Sequence, residues 1–157
     1  MKILVATDGS DFSKAAINML ANIVAKPENT SLKIISAVER PTPMAVEPFA
    51  VSAEYYNETE KMLSEQAREY VEQAETQIHS LFPNGALNLT AEVIMGSPRR
   101  VIVEEAQQWG ADLIVVGSHG YSFWSRVMLG SVSNSIVHHA PCSVLVVRTA
   151  KDAVKPD

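Results

Sequence analysis

Short apolar runs alternate with helix-spaced stripes along almost the whole chain, and that alternation leaves few folds open. Ile3 to Ala6 is the first run, bounded by Asp8-Gly9-Ser10. Apolar at every position, it predicts a strand covered on both faces, then a turn. Over Asp11 to Val24, Phe12, Ala15, Ala16, Met19, Leu20 and Ile23 recur at helical spacing, and Ser10 or Asp11 can cap that helix. Pro27-Glu28-Asn29 breaks the chain before a second expected strand, Ser31 to Val38. Glu54 to Leu81 reads as a long amphipathic helix with Tyr56, Leu63, Ala67, Tyr70, Val71, Ala74 and Ile78 along one side, ended by Pro83-Asn84-Gly85. A third strand is expected over Leu87 to Met95. Gly96-Ser97-Pro98 then supplies a turn, an N-cap and a proline at the first helical position. Val101, Ile102, Ala106 and Trp109 mark the third helix. Asp112 to Val116 is the fourth strand, Ser131 to His139 the fourth helix and Ser143 to Val147 the fifth strand.

Parallel strands need crossover connections, usually helical, and helices packed on both faces explain strands apolar throughout. The expectation is therefore a single α/β domain, a doubly wound five-stranded parallel sheet with helices on both faces. A chain of 157 residues fits one such domain and buries enough surface to need no disulfide or metal. Residues 1–148 form the expected domain, and 149–157 a polar C-terminal tail. The segment from Glu39 to Ala53 is too long for an ordinary connection and too apolar for a flexible linker.

The net charge of −5 argues against nucleic acid or an anionic membrane as the main partner, since both call for a basic surface. The one cysteine, Cys142, fits a reducing compartment. The apolar N-terminal run is too short for a signal peptide or a membrane span, so the expected location is the cytoplasm.

In open parallel sheets ligands sit beyond the carboxyl ends of the strands, where the strand order reverses. Asp8-Gly9-Ser10 follows the first strand. Gly117-Ser118-His119-Gly120 follows the fourth, and Gly130-Ser131-Val132-Ser133 opens the fourth helix. Gly117 and Gly120 let the backbone approach a bulky ligand with no Cβ in the way. The amides that open the fourth helix, with its macrodipole, suit an anion. Hydroxyls on Ser131 and Ser133 add donors, and Arg126 in the intervening loop adds a full charge. Together these read as a phosphate site that needs no lysine. Asp8 either starts the first helix or accepts hydrogen bonds from a ribose or helps hold a metal ion.

These residues resemble the ATP-binding branch of the universal stress protein family. Its glycine pattern stands complete as Gly117, Gly120, Gly130 and Ser131. Ile3 to Ser10, Ala111 to Gly117 and Ala140 to Val147 are also similar to that family, and the likeness runs to about residue 148. The resemblance implies sheet order 3-2-1-4-5 and a homodimer. It also implies an adenine nucleotide lying across the ends of the first and fourth strands, with Mg²⁺ or Mn²⁺ able to accompany it. It places Asp8 near the ribose, Val38 near adenine, and Gly117, Gly120, Gly130, Ser131 and Ser133 around ribose and phosphates. The full candidate nucleotide-binding set adds Ala6, Thr7, Met95, Gly96, Ser118, His119, Arg126 and Val132. An apolar fifth strand left as a bare edge would invite aggregation, so Val144, Leu145, Val146 and Val147 are the expected dimer contact.

Other residues carry weaker signals. His138 and His139 close a helix and, being adjacent, point apart. Cys142 reads as small and buried, Trp109 as core, and Glu104 and Glu105 as helical neighbours that do not face each other. Phe123 and Trp124 suit either a partner or a lid. Three functional readings follow: an ATP-binding regulatory dimer, a slow ATPase or adenylyl-transferring enzyme, and a nucleotide-independent interaction protein. The complete glycine pattern favours the first, and no catalytic residue is assigned.

Overall fold

The burial of three consecutive side chains fixes the architecture. Ile3, Leu4 and Val5 of strand β1 (Lys2–Ala6) are all fully buried, so both faces of the sheet are covered. In the computed structural model, which describes residues 1–40, 53–85, 87–120 and 129–149, successive side chains feed two cores. Ile3 and Val5, with Leu32 and Ile34 of β2 (Ser31–Val38), pack toward α1 (Asp11–Ile23) and α2 (Ala53–Leu81). Leu4 and Ile35 pack toward α3 (Pro98–Trp109) and α4 (Ser131–His139). Each fully buried aliphatic side chain is worth about 1.5–3 kcal/mol of apolar transfer.

With β3 (Asn88–Met95), β4 (Leu113–Gly117) and β5 (Ser143–Val147), the sheet has the order β3-β2-β1-β4-β5, every pair parallel. This is the expected doubly wound fold, in the order that the family resemblance implies. The order reverses between β1, which pairs with β2, and β4, which pairs with β1 on the other side, Val5 opposite Val115.

Several boundaries shift for local reasons. Asp112 lies just before β4, its N–H donating to the Lys2 carbonyl at 2.8 Å and its carboxylate accepting the Lys2 N–H at 2.7 Å. Pro27–Asn29 forms a short 3-10 turn. In α2 the expected stripe holds only in the second half: Ala67, Val71, Ala74 and Ile78 are buried, whereas Leu63 is 37% exposed. The buried half is tied to α1 through the Gln77 carboxamide, which donates to the Lys14 carbonyl and the Asn18 side-chain oxygen.

Among the described residues, one charged group sits inside. Lys33 of β2 faces α3, its ammonium 2.6 Å from Glu105 and 3.1 Å from Glu92. Glu104 goes elsewhere, to Arg100 at 3.7 Å. Trp109 packs at the edge of the α3–α4 core, with the Lys2 ammonium 5.5 Å from its ring centroid. No helix among the described residues is long and apolar enough to cross a membrane.

Candidate functional site

Where β1 and β4 end side by side, the chain leaves a cleft of about 540 Å³. That volume suits a small organic ligand. Ten of the candidate residues line it: Ala6, Thr7, Asp8, Gly117, His119, Gly120, Gly130, Ser131, Val132 and Ser133. The strand ends supply the first six of these and the start of α4 the other four.

The β1–α1 turn is built from its own side chains. Ser10 is the N-cap of α1, its hydroxyl accepting from the Ser13 N–H. Asp8 supports that cap, since its Oδ1 accepts from the Ser10 N–H at 3.1 Å and from the Ser10 hydroxyl at 2.6 Å. The carboxylate is thereby held with Oδ2 beside Gly120. Capping and site geometry are thus one arrangement: Ser10 caps, and Asp8 is fixed at the cleft. Thr7 is tied in the same way, its hydroxyl donating to Ser13 Oγ at 3.2 Å and accepting from the Gly9 N–H.

The glycines at 117 and 120 serve a purpose that differs from the one expected. A Cβ on Gly117 would stand 2.7 Å from the backbone carbonyl carbon of Phe12, and one on Gly120 would stand 2.7 Å from Asp8 Oδ2. Their bare faces are turned toward the protein, so that α1 and the Asp8 carboxylate can close against the loop. That contact sets the position of Asp8 at the cleft.

The start of α4 is pinned from behind. Ser118 is fully buried and lies outside the cleft lining. Its N–H donates to the Val147 carbonyl, and its own carbonyl accepts from the Gly130 N–H, both at 2.8 Å. The Ser133 hydroxyl, 3% exposed, lies 2.9 Å from the Ser118 carbonyl and 3.0 Å from that of Gly130, so its proton is engaged inside the protein. Sequence reasoning expected Ser133 to offer that proton outward; its hydroxyl straps helix to loop. The amides of Ser131, Val132 and Ser133 precede the first intrahelical bond, Asn134 N–H to the Gly130 carbonyl, and Gly130 places no capping side chain over them. The helix adds roughly half a positive charge at this point. Facing it, His119 packs its ring 5.3 Å from that of Phe12, with Nδ1 3.1 Å from Ser118 Oγ.

Val38, Met95 and Gly96 stand apart from the cleft lining. They join the ends of β2 and β3, with Val38 paired to Met95 and the Gly96 N–H donating to the Val38 carbonyl at 2.8 Å. Arg126, Phe123 and Trp124 lie outside the described residues, as does most of the segment from Glu39 to Ala53. The cleft also contains residues that sequence reasoning did not select. Ile35, Ala37, Ile102 and Val116 give it an apolar wall, with Pro98 at the start of α3 and Ser13 on α1. Gln66 and Tyr70 reach it from α2. Ile102 and Val116 carried a signal, helical or strand periodicity, but one that marks core as readily as cleft.

The model of the universal stress protein family matches residues 1–148. The chain belongs to that family. A relative from Staphylococcus haemolyticus is 33% identical over 148 residues, spanning 94% of this chain and 84% of its own. Among solved structures, the universal stress protein UspA of Lactobacillus plantarum is similar at 28% identity and TM-score 0.76, covering 94% of this chain and 97% of that one. A universal stress protein solved in complex with cAMP is 27% identical with TM-score 0.67, covering 96% and 98%. For this universal stress protein, the likeness and the parallel β3-β2-β1-β4-β5 sheet agree on one architecture.

Proposed function

We infer that this universal stress protein binds an adenine nucleotide, ATP foremost, in the cleft between β1 and β4. On this reading it acts as a cytoplasmic homodimeric sensor or switch, with residues 1–148 as the nucleotide-binding unit and 149–157 as a polar tail. One juxtaposition supports the reading above others: the opening residues of α4 and a fixed carboxylate, Asp8, line the same 540 Å³ cleft. Amides and dipole suit phosphate oxygens, a carboxylate suits ribose hydroxyls, and the Ile35–Ala37–Ile102–Val116 wall suits a flat base. The relative solved with cAMP binds a ligand of the same adenine-nucleotide class.

Mg²⁺ or Mn²⁺ would arrive on the phosphates, neutralising their charge, with the Asp8 carboxylate and the Ser131 hydroxyl among the oxygen donors that line the cleft. Among the described residues, no group of three or more His, Cys, Asp or Glu side chains is assembled for a metal. On this reading the metal is a companion of the nucleotide. The dimer reading draws on β5, which among the described residues pairs with β4 alone and keeps Val144, Leu145 and Val146 half-buried, whereas Val147, the fourth expected contact, is 5% exposed and packs in the core of its own chain.

Isothermal titration of the full chain, freed of co-purified ligand, with ATP, ADP, AMP and cAMP tests the proposal. One site per chain is expected, with about 2.7 kcal/mol of added stability at a hundredfold excess of ligand over Kd. Absence of heat and of any shift in Tm with all four nucleotides would sink it.

A further inference from the structure

The cleft has an anion end and an apolar wall, but neither tells one base from another. Hydrogen bonds to base edges do that. Strand order fixes where the base must go. With phosphate on the α4 amides beside β4 and ribose at Asp8, just past the end of β1, the next position along the sheet is the end of β2. That is two strand spacings from β4, roughly 9–10 Å. Ile35 and Ala37 of β2 line the cleft there.

Helix α2 runs past this same end. Glu60 lies 3.6 Å from Arg40, just beyond β2, and the Ser64 hydroxyl lies 3.8 Å from the sulfur of Met95, the last residue of β3. Just past these anchors, where the buried half of the helix begins, stand Gln66 and Tyr70, one turn apart and both on the cleft. Tyr70 is held by close packing: a Cβ on Gly9, whose φ is +76°, would collide with its ring. Gly9 follows Asp8 directly, so one ring fixes both the ribose-side turn and the near wall of the base region. Gln66 is exposed and carries a carboxamide, an acceptor and a donor side by side.

We propose that Gln66 is the residue that selects adenine in this cleft, with Tyr70 as the positioning residue beneath it. The proposal rests on the nucleotide-binding reading above. A carboxamide complements the adenine edge, where an N6 donor adjoins the N7 acceptor; guanine presents two acceptors, O6 and N7, and is matched by Arg or Lys instead. The glycine-rich elements then hold any nucleotide by its phosphate and ribose, and α2 supplies the choice of base.

The test is calorimetric titration of the full chain and its Gln66→Ala and Gln66→Asn variants with AMP, GMP and ribose 5-phosphate. Wild type is expected to prefer AMP over GMP. Gln66→Ala is expected to lose five- to tenfold for AMP and less than twofold for ribose 5-phosphate, drawing the AMP and GMP affinities together, while Gln66→Asn recovers part of the preference. Gln66 is exposed on a helix, so Tm should hold and report an intact fold. Equal losses for all three ligands, or an unchanged AMP-to-GMP ratio in Gln66→Ala, would overturn the assignment alone. Failure of wild type to bind either AMP or ribose 5-phosphate would overturn the nucleotide reading along with it.

Discussion

Replacing Gly120 with alanine isolates the contact that holds Asp8 in place. Gly120 has no positive φ, so alanine adds no backbone strain, and among the described residues the added methyl meets one side chain, that of Asp8. It would stand 2.7 Å from Asp8 Oδ2, and ordinary contact begins near 3.4 Å, so the oxygen must retreat by about 0.7 Å. Oδ1 moves with it, because the carboxylate is rigid, and its bonds to the Ser10 N–H and hydroxyl lengthen. Hydrogen bonds to a charged group are worth about 1.5–3 kcal/mol each, so weakening one or both should cost about 1–2 kcal/mol. For a domain of this size that lowers Tm by about 3–6 °C. Nucleotide affinity should fall about tenfold, since Asp8 leaves its place at the cleft. The discriminating assay is a double-mutant cycle on Tm and on Kd for AMP. In an Asp8→Ala background the obstruction is gone, and Gly120→Ala should cost less than about 0.5 kcal/mol. If Gly120→Ala costs the same with and without the Asp8 carboxylate, the glycine has another purpose and the reasoning is refuted.

Three further outcomes are expected. Gly117→Ala should destabilise by about 1–3 kcal/mol, and Phe12→Ala should not rescue it, because the obstructing atoms include the Phe12 backbone; thermal melts of the single and double variants check this. Burial works against the charged form of Lys33, but its hydrogen bonds to Glu105 and Glu92 outweigh that and hold the ammonium above its ordinary value of 10.5. The triad's contribution should therefore be complete below pH 10.5 and lost as pH rises through the higher folded value. A denaturant series across that range should show the loss in wild type and a flatter profile in Lys33→Met. Burial first, then the Asp112 charge, pushes the Cys142 thiol up, so iodoacetamide should label it slowly at pH 7.5 in the native state and rapidly in urea.

What could be read in advance was whatever depends on neighbours in sequence. The strands are apolar without interruption because both faces are covered, and Ser31–Val38, Ser131–His139 and Ser143–Val147 begin and end where their turn residues dictate. Gly117, Gly120 and Gly130 mark the cleft because each is required within a few residues of a strand or helix end. Their reason was less legible. That Gly117 yields to Phe12, and Gly120 to Asp8, is a fact of contact across more than a hundred residues. Leu63 fits the α2 stripe by spacing alone, but periodicity cannot say where a helix outruns its partners. Gln66 carries no local mark, and Tyr70 only that of the α2 stripe: both belong to the cleft because α2 crosses the end of β2.

The most direct trial of the account is a ¹H–¹⁵N NMR titration of the full chain with ATP, following individual backbone amides. Ser131, Val132 and Ser133 should show the largest shifts, with Asp8, Gly117 and Gly120 moving at the same ligand concentration. Saturable shifts confined to other surfaces, or spectra unchanged at millimolar ATP, would contradict it.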